Sequence, residues 1–413
     1  MTEQQETGRT VDVVVTYDGE RLGTTGPFPV VRPWWSDVTE VVAHLEALLG
    51  VPVVVLRLLR VHGGEGGRDG AVTYHAEALR RPREGALRED TAGPGTDGLL
   101  APADLRADWA TTTGLWDALT WAFGELGGGT AEQVRTWNLS GLFRMAPQDG
   151  RTVWLKTTSP RFNACEATVI RLFAAGDREF VPDVVAADTP RRRVLLGHVD
   201  GKDCYGADPD VASAAVRRLA AAQAAIASPT PPPGLRDRTP ATLPGLIDRL
   251  LDGEAGRDLT AREAAGARRL TARLPASIAE LDACGLPHTV VHGDFHPGNW
   301  RSDGRRIVMV DFADSHFGHP VLDGLRPRDF LDDRSWEHAA DAWVQAWSHL
   351  VPGSDPRRAL AVGAPLAHLL YAVRYQEFLD NIERSERVYH EGDPVGEIRA
   401  ALAAWASSPP ALP

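Results

Sequence analysis

Three side chains in one short stretch have the types and the spacing needed for phosphoryl transfer. Asp294 and Asn299 stand five residues apart in the sequence HGDFHPGN, and a hydrophobic run then leads to Asp311. This spacing is typical of a loop in which one carboxylate meets the attacking hydroxyl, while the amide and the second carboxylate face magnesium on the phosphates. Because Mg²⁺ prefers oxygen ligands and keeps several waters, two protein ligands suffice. We therefore predict Asp294 as the catalytic residue, and Asn299 and Asp311 as metal ligands.

The same letters allow a second interpretation. His292, Asp294 and His296 alternate, so in a strand they would share one face, and imidazole and carboxylate are ordinary ligands of a hydrolytic metal. Pro297 and Gly298 argue against a continuing strand. A metal-dependent hydrolase nevertheless stays as the alternative. In the phosphoryl-transfer interpretation, His292 belongs to the catalytic loop and braces it.

Composition limits the classes of function. The chain has 413 residues, a net charge of -12 and no basic run or stripe, so nucleic acid is not an expected partner. The sequence has no apolar run of membrane-spanning length and no hydrophobic signal core, and its three cysteines are far apart. These features predict a cytoplasmic protein. Only two of its 44 basic residues are lysines, Lys156 and Lys202, which makes each one conspicuous.

The patterns of hydrophobic residues divide the chain into four parts. Residues 1–80 read as a small α+β domain of strands and one helix, with a structural or lid-like role. Residues 81–104, rich in Arg, Glu, Gly and Pro, read as a linker. Residues 105–200 read as a helix followed by strands, and residues 201–413 as a mainly helical region that contains the catalytic loop.

Several residues before the catalytic loop are candidates for nucleotide binding. Lys156 ends a predicted strand, where an ammonium group can neutralise phosphate oxygens, and Glu166 in the following helix can hold it in place. Ser140 and Gly141 belong to a turn of small residues whose backbone N–H groups can approach phosphates. The backbone at 197–199 follows another strand, and the groups expected to pair with the adenine edge are those of Gly197 and Val199.

With these residues in view, the chain resembles the aminoglycoside phosphotransferase and choline kinase superfamily. HGDFHPGNW resembles that family's HGDLHPGN motif, and MVDFADSHFGHPVLD resembles its second acidic segment, with His319 where an Asp often stands. The resemblance covers roughly residues 134–382. It implies a bilobal protein-kinase-like α+β fold, with a β-rich N-lobe, a helical C-lobe and ATP in the cleft. The small N-terminal domain lies outside it.

These observations together predict an ATP- and magnesium-dependent phosphotransferase that acts on a hydroxyl of a small molecule. An aminoglycoside-like antibiotic, an amino sugar and a natural-product intermediate are the expected substrate classes, with antibiotic resistance as one role. Besides the hydrolase, a nucleotide-binding regulator stays as an alternative. A protein kinase is disfavoured because the long glycine-rich loop and the activation segment are missing. The oligomeric state and the choice between ATP and GTP are open.

Overall fold

The computed structural model describes residues 8–83, 85–88, 101 and 103–407. They form two compact units. The first unit contains the described residues through Arg161, with Val185–Leu196 and Phe378–Glu391. The second contains Phe162–Val184, Gly197–Glu377 and the described residues from Gly392 onward. Most of the predicted linker, 81–104, lies outside the described residues, and the division into four parts stays a prediction.

A four-stranded sheet and one helix open the first unit: β1 (Arg9–Tyr17), β2 (Glu20–Val30), α1 (Thr39–Leu49), β3 (Val53–His62) and β4 (Ala71–Ala78). The strand order is β2-β1-β4-β3, with β1 and β4 parallel and the other pairs antiparallel. Asp18 and Gly19 turn the β1–β2 hairpin with φ of 48° and 78°, the left-handed conformation that a tight hairpin needs. We call the described residues 8–78 the N-terminal module.

A second, five-stranded sheet follows α2 (Thr112–Leu126). Its strands are β5 (Thr130–Thr136), β6 (Ser140–Ala146), β7 (Val153–Thr158), β8 (Val184–Asp188) and β9 (Arg193–Gly197), in the order β5-β6-β7-β9-β8. The predicted strands and the helix before them are therefore present. Gly127 ends α2 with φ of 72°, as a left-handed helix cap requires.

Strand β3 joins the N-terminal module to the second sheet because it is buried on both faces. Val53 and Val55 pack into the core of the module, whereas Val54 and Leu56 pack with α2 and the second sheet. The Gln133 side chain on β5 accepts a hydrogen bond from the Val55 N–H at 2.8 Å and donates one to the Val55 carbonyl at 2.7 Å. These contacts favour the structural role predicted for the module over the lid-like one.

Helices dominate the second unit. They are α3 (Glu166–Gly176), α4 (Pro209–Ala225), α5 (Leu243–Asp252), α6 (Glu254–Arg257), α7 (Ala261–Ala283), α8 (Val321–Leu325), α9 (Asp333–Leu350), α10 (Pro356–Asn381) and α11 (Asp393–Ser407). Short strands position the loops between them: β10 (Lys202–Asp203), β11 (Thr289–Val291), β12 (Trp300–Ser302), β13 (Ile307–Met309) and β14 (His316–Gly318). Strands β10, β12 and β13 form one small antiparallel sheet, and β11 pairs with β14.

The predicted α+β class is confirmed, with a sheet-rich N-terminal part and a helical C-terminal part. Among the described residues, no helix combines the length and the apolar character that crossing a membrane would require.

Candidate active site

The Asp294 carboxylate is held from both sides. It lies in the loop between β11 and β12, with 28% of its side chain exposed. One oxygen, Oδ2, accepts from the Asn299 amide at 3.1 Å and lies 3.3 Å from His296 Nε2. The other, Oδ1, accepts from the Arg326 guanidinium at 3.0 and 2.9 Å. Burial raises the pKa of Asp294, but the charge of Arg326 and the contact with His296 outweigh it and hold that pKa well below its usual range.

Buried groups fix the loop beneath Asp294. The Asp323 carboxylate, fully buried, accepts the backbone N–H groups of His292 at 2.7 Å and Gly293 at 3.0 Å, and the Gln223 amide at 2.7 Å. Burial raises the pKa of Asp323 to about 6, although these donors lower it. Through these contacts Asp323 buttresses the loop by hydrogen bonds.

The His292 ring is fully buried, and both of its nitrogens contact the backbone. Nε2 donates to the Val310 carbonyl at 3.0 Å, and Nδ1 accepts the Asp294 N–H at 3.3 Å. These are the contacts of a brace. A metal bound by His292, Asp294 and His296 would have to displace them. The described part of the chain also has no group of three or more His, Cys, Asp or Glu side chains able to hold a metal.

Asp311 follows β13 in a strained backbone conformation. Its φ is 66°, a left-handed value that costs a non-glycine residue about 1–3 kcal/mol and is common at functional sites. Its side chain is exposed. Glu166 from α3 accepts the N–H of the next residue, Phe312, at 3.1 Å, and the Val310 N–H donates to the Asn299 carbonyl at 3.0 Å. Both neighbours of Asp311 are thus fixed by hydrogen bonds.

The residues present fit a magnesium ion. The Asn299 amide nitrogen donates to the Asp294 backbone carbonyl at 2.9 Å and to its carboxylate at 3.1 Å. Because that nitrogen is engaged, the amide oxygen is the atom that can bind a cation. It adds to the exposed carboxylate of Asp311, and Mg²⁺ prefers such oxygen ligands.

The candidate nucleotide-binding residues are distributed over both units. Lys156, buried on β7, and Ser140 and Gly141, at the start of β6, belong to the first unit. The Ser140 hydroxyl accepts from the Trp137 indole at 2.9 Å, and the Gly141 N–H donates to the Thr157 hydroxyl at 3.3 Å. Their roles toward phosphates stay predictions.

Glu166, Gly197 and Val199 belong to the second unit, together with the catalytic loop. The Gly197 N–H donates to the Asp183 carbonyl at 2.8 Å, and Val199 is half-buried two residues further on. The predicted adenine contacts at these two positions are untested. Glu166 is buried and holds Phe312, a contact that the sequence did not predict.

Sequence reasoning missed Arg326. Its side chain is 11% exposed and lies between two rings, with the guanidinium carbon 4.9 Å from the Phe330 centroid and 4.8 Å from the Tyr371 centroid. The only signal was its place shortly after the Asp323 segment, since nothing local links it to Asp294. Its charge, however, is the strongest influence of any side chain on the ionisation of Asp294.

Comparison with known proteins assigns this sequence to a family. The profile of the phosphotransferase enzyme family (APH) matches residues 149–360, just over half of the chain. No match was found among curated protein sequences.

Several solved structures are similar to this chain, and one of them reaches a TM-score of 0.50. A choline kinase from Streptococcus pneumoniae is 12% identical with a TM-score of 0.50, and the alignment covers 71% of this chain and 99% of that one. A macrolide 2'-phosphotransferase from Brachybacterium faecium is 19% identical, with a TM-score of 0.44 and coverage of 72% and 98%. A choline/ethanolamine kinase family protein from Mesorhizobium loti is 17% identical, with a TM-score of 0.45 and coverage of 70% and 98%. On the family match, the chain belongs to the phosphotransferase enzyme family.

Proposed function

We propose that this protein transfers the γ-phosphoryl group of ATP to a hydroxyl of a small molecule and requires Mg²⁺. The observation that carries the proposal is the connected set of Asp294, Asn299 and Asp311, with the carboxylate of Asp294 ionised and fixed. The substrate classes expected from the sequence are an aminoglycoside-like antibiotic, an amino sugar or a natural-product intermediate, and antibiotic resistance is one such role. Cytoplasmic location, where ATP is available, fits this activity.

Asp294 orients the acceptor hydroxyl and accepts its proton. Since the ion pair with Arg326 keeps the pKa of Asp294 low, the carboxylate is a weak base before the transition state. The proton therefore reaches a carboxylate oxygen late, after the bond to phosphorus has largely formed, which suits a loose transition state. Positioning of the hydroxyl is then the main contribution of Asp294.

The remaining residues hold the reacting groups. Asn299 and Asp311 would hold the magnesium ion, which when bound neutralises charge on the phosphate oxygens. Lys156 binds phosphate oxygens as a compact ammonium. Glu166 keeps the backbone beside Asp311 in place through Phe312. His292 and Asp323 maintain the loop conformation.

The test is ADP release with ATP and Mg²⁺ over a panel of hydroxyl compounds, using wild type and Asp294→Asn. Asparagine keeps the shape of the side chain but has no negative charge, so we expect turnover to fall by about 10²–10⁴-fold. ATP binding, measured by calorimetry, should persist in the variant. Turnover close to that of wild type in Asp294→Asn would refute the assignment of Asp294 as the catalytic residue. ATP binding without turnover of any compound would favour the nucleotide-binding regulator instead.

A further inference from the structure

A cavity in the helical unit adjoins Arg326, the partner of the Asp294 carboxylate. It is a cleft of about 510 Å³ between α10, α11 and the segment Leu325–Asp329. Arg326 lines it, and the same guanidinium binds Asp294 at 2.9 Å. One residue of the cleft lining, Arg326, is therefore in direct contact with the Asp294 carboxylate. Clefts of this size accommodate drug-sized molecules.

The walls of this cleft are mostly apolar. Leu325 and Leu360 contribute to them, and two facing helices contribute single methyl groups at near-helical spacing: Ala361, Ala364, Ala367, Ala400, Ala403 and Ala404. Because alanine side chains are short, the helices leave open space where larger residues would fill it. A ligand in this space would remove apolar surface from water, which favours an apolar body.

The charges around the cleft are balanced. The charge of Arg326 is compensated by Asp294. His368, also in the lining, is paired with Glu397 across α10 and α11 at 2.7 Å. The two other charged lining residues, Arg328 and Asp329, are exposed and opposite in sign. A polycationic sugar would need several unpaired carboxylates to replace its hydration, and the lining does not supply them.

We propose that this cleft binds the acceptor, and that the acceptor is an uncharged hydroxyl compound with a large apolar body rather than a polycationic amino sugar. This proposal rests on the proposed function and narrows its substrate class to neutral, largely apolar molecules. Because Arg326 lines the cleft and binds Asp294, we place the apolar body in the cleft and the reacting hydroxyl at its Arg326 end.

Four sugars test the chemistry, because all carry hydroxyl groups but differ in apolar body and charge. They are glucose, octyl β-glucoside below its micelle concentration, glucosamine and kanamycin. We expect calorimetry without nucleotide to show octyl glucoside binding at least tenfold more tightly than glucose, with no comparable gain for the two cationic sugars. Equal affinity for glucose and octyl glucoside, absence of binding, or tighter binding of kanamycin overturns the proposal.

Two phenylalanine variants three residues apart on α11 test the location. Ala403 is exposed and lines the cleft, whereas Ala406 is exposed and does not line it. Ala403→Phe should weaken the binding of octyl glucoside at least tenfold, and Ala406→Phe should bind it as tightly as wild type does. Ala361→Phe, which fills the cleft from α10, should repeat the first result. Identical behaviour of Ala403→Phe and Ala406→Phe, with both folded by thermal unfolding, refutes the location.

The two proposals fail in different ways. Binding measured without ATP reports only on the cleft, whereas ADP release in wild type and Asp294→Asn reports on phosphoryl transfer. Selective binding of the apolar glucoside without any turnover would leave the cleft standing and reject the kinase activity. Turnover of kanamycin that Asp294→Asn abolishes, with no binding of the glucoside, would do the reverse.

Discussion

Replacing Arg326 by methionine should change how the reaction depends on pH. Methionine is long and apolar, so it can still pack between Phe330 and Tyr371, but it lacks the charge that faces Asp294. Two unit charges about 4 Å apart interact by about 4 kcal/mol at an effective dielectric constant of about 20. Asp294 is partly exposed, so we reduce this to about 3 kcal/mol, roughly a hundredfold in its proton affinity.

The direction of the change in the pKa of Asp294 depends on which influences remain after Arg326 is replaced. In wild type the charge of Arg326 keeps the pKa of Asp294 depressed, so the carboxylate stays ionised and kcat/KM should not fall on the acid side because of this group. Without the charge, burial still raises the pKa of Asp294 and only the contact with His296 opposes it, so the pKa rises relative to wild type. Protonation of Asp294, and with it the acid-side fall of kcat/KM, should therefore occur about two pH units higher in the variant than in wild type. Arg326→Lys keeps a positive charge and should be intermediate.

The assay is kcat/KM for the best acceptor, read from ADP release, from pH 9 down to the lowest pH at which each variant stays folded. Arg334→Met is the matched control, because Arg334 is exposed on α9 and its replacement removes one positive charge but leaves the pair of Arg326 and Asp294 intact. Each variant is checked for folding at every pH, since breaking a buried ion pair can cost about 3–5 kcal/mol of stability. An Arg326→Met profile that coincides with that of Arg334→Met refutes the electrostatic argument.

Three further predictions concern stability. Asp323→Asn leaves one of the loop N–H groups facing the NH₂ group of the new amide, which cannot accept it. The free energy of unfolding in urea should fall by about 1–3 kcal/mol, and kcat should fall as well. A stability equal to that of wild type would contradict the buttressing role. Burial raises the pKa of Glu386 from its ordinary value of 4.5 to about 8. Between these two values the folded state holds a proton that the unfolded state has released. The free energy of unfolding therefore falls as pH rises through this range, and the contribution is lost once pH passes about 8. Glu386→Gln should remove that part of the pH dependence, and urea unfolding at pH 6 and pH 9 that changes as in wild type would refute it. Leu56→Ala should lower the free energy of unfolding by about 2–5 kcal/mol, because Leu56 lies in the core shared by the two sheets. The same change at exposed Leu48 should lower it by less than about 0.5 kcal/mol. Similar unfolding midpoints for the two variants would favour a loosely attached lid.

The sequence predicted the residues whose relation is local. Asp294 and Asn299 are joined by hydrogen bonds across five positions, a spacing that one loop conformation fixes. Arg326 could not be found in this way, because its contact with Asp294 crosses 32 positions and depends on where α8 ends. The cleft between α10 and α11 was equally hidden, since a run of alanines on a helix looks the same in a close-packed interface and in an open one.

The N-terminal module shows a different limit of sequence reasoning. The hydrophobic run of β3 predicts a buried strand, but a run without alternation does not say which partners cover its two faces. In the structure one partner is the segment Phe378–Glu391, which joins the two helices that line the cleft. Glu386 in that segment accepts the Leu58 N–H on β3 at 2.9 Å, a contact that spans 328 positions. The module therefore stabilises the segment Phe378–Glu391, which belongs to the same unit.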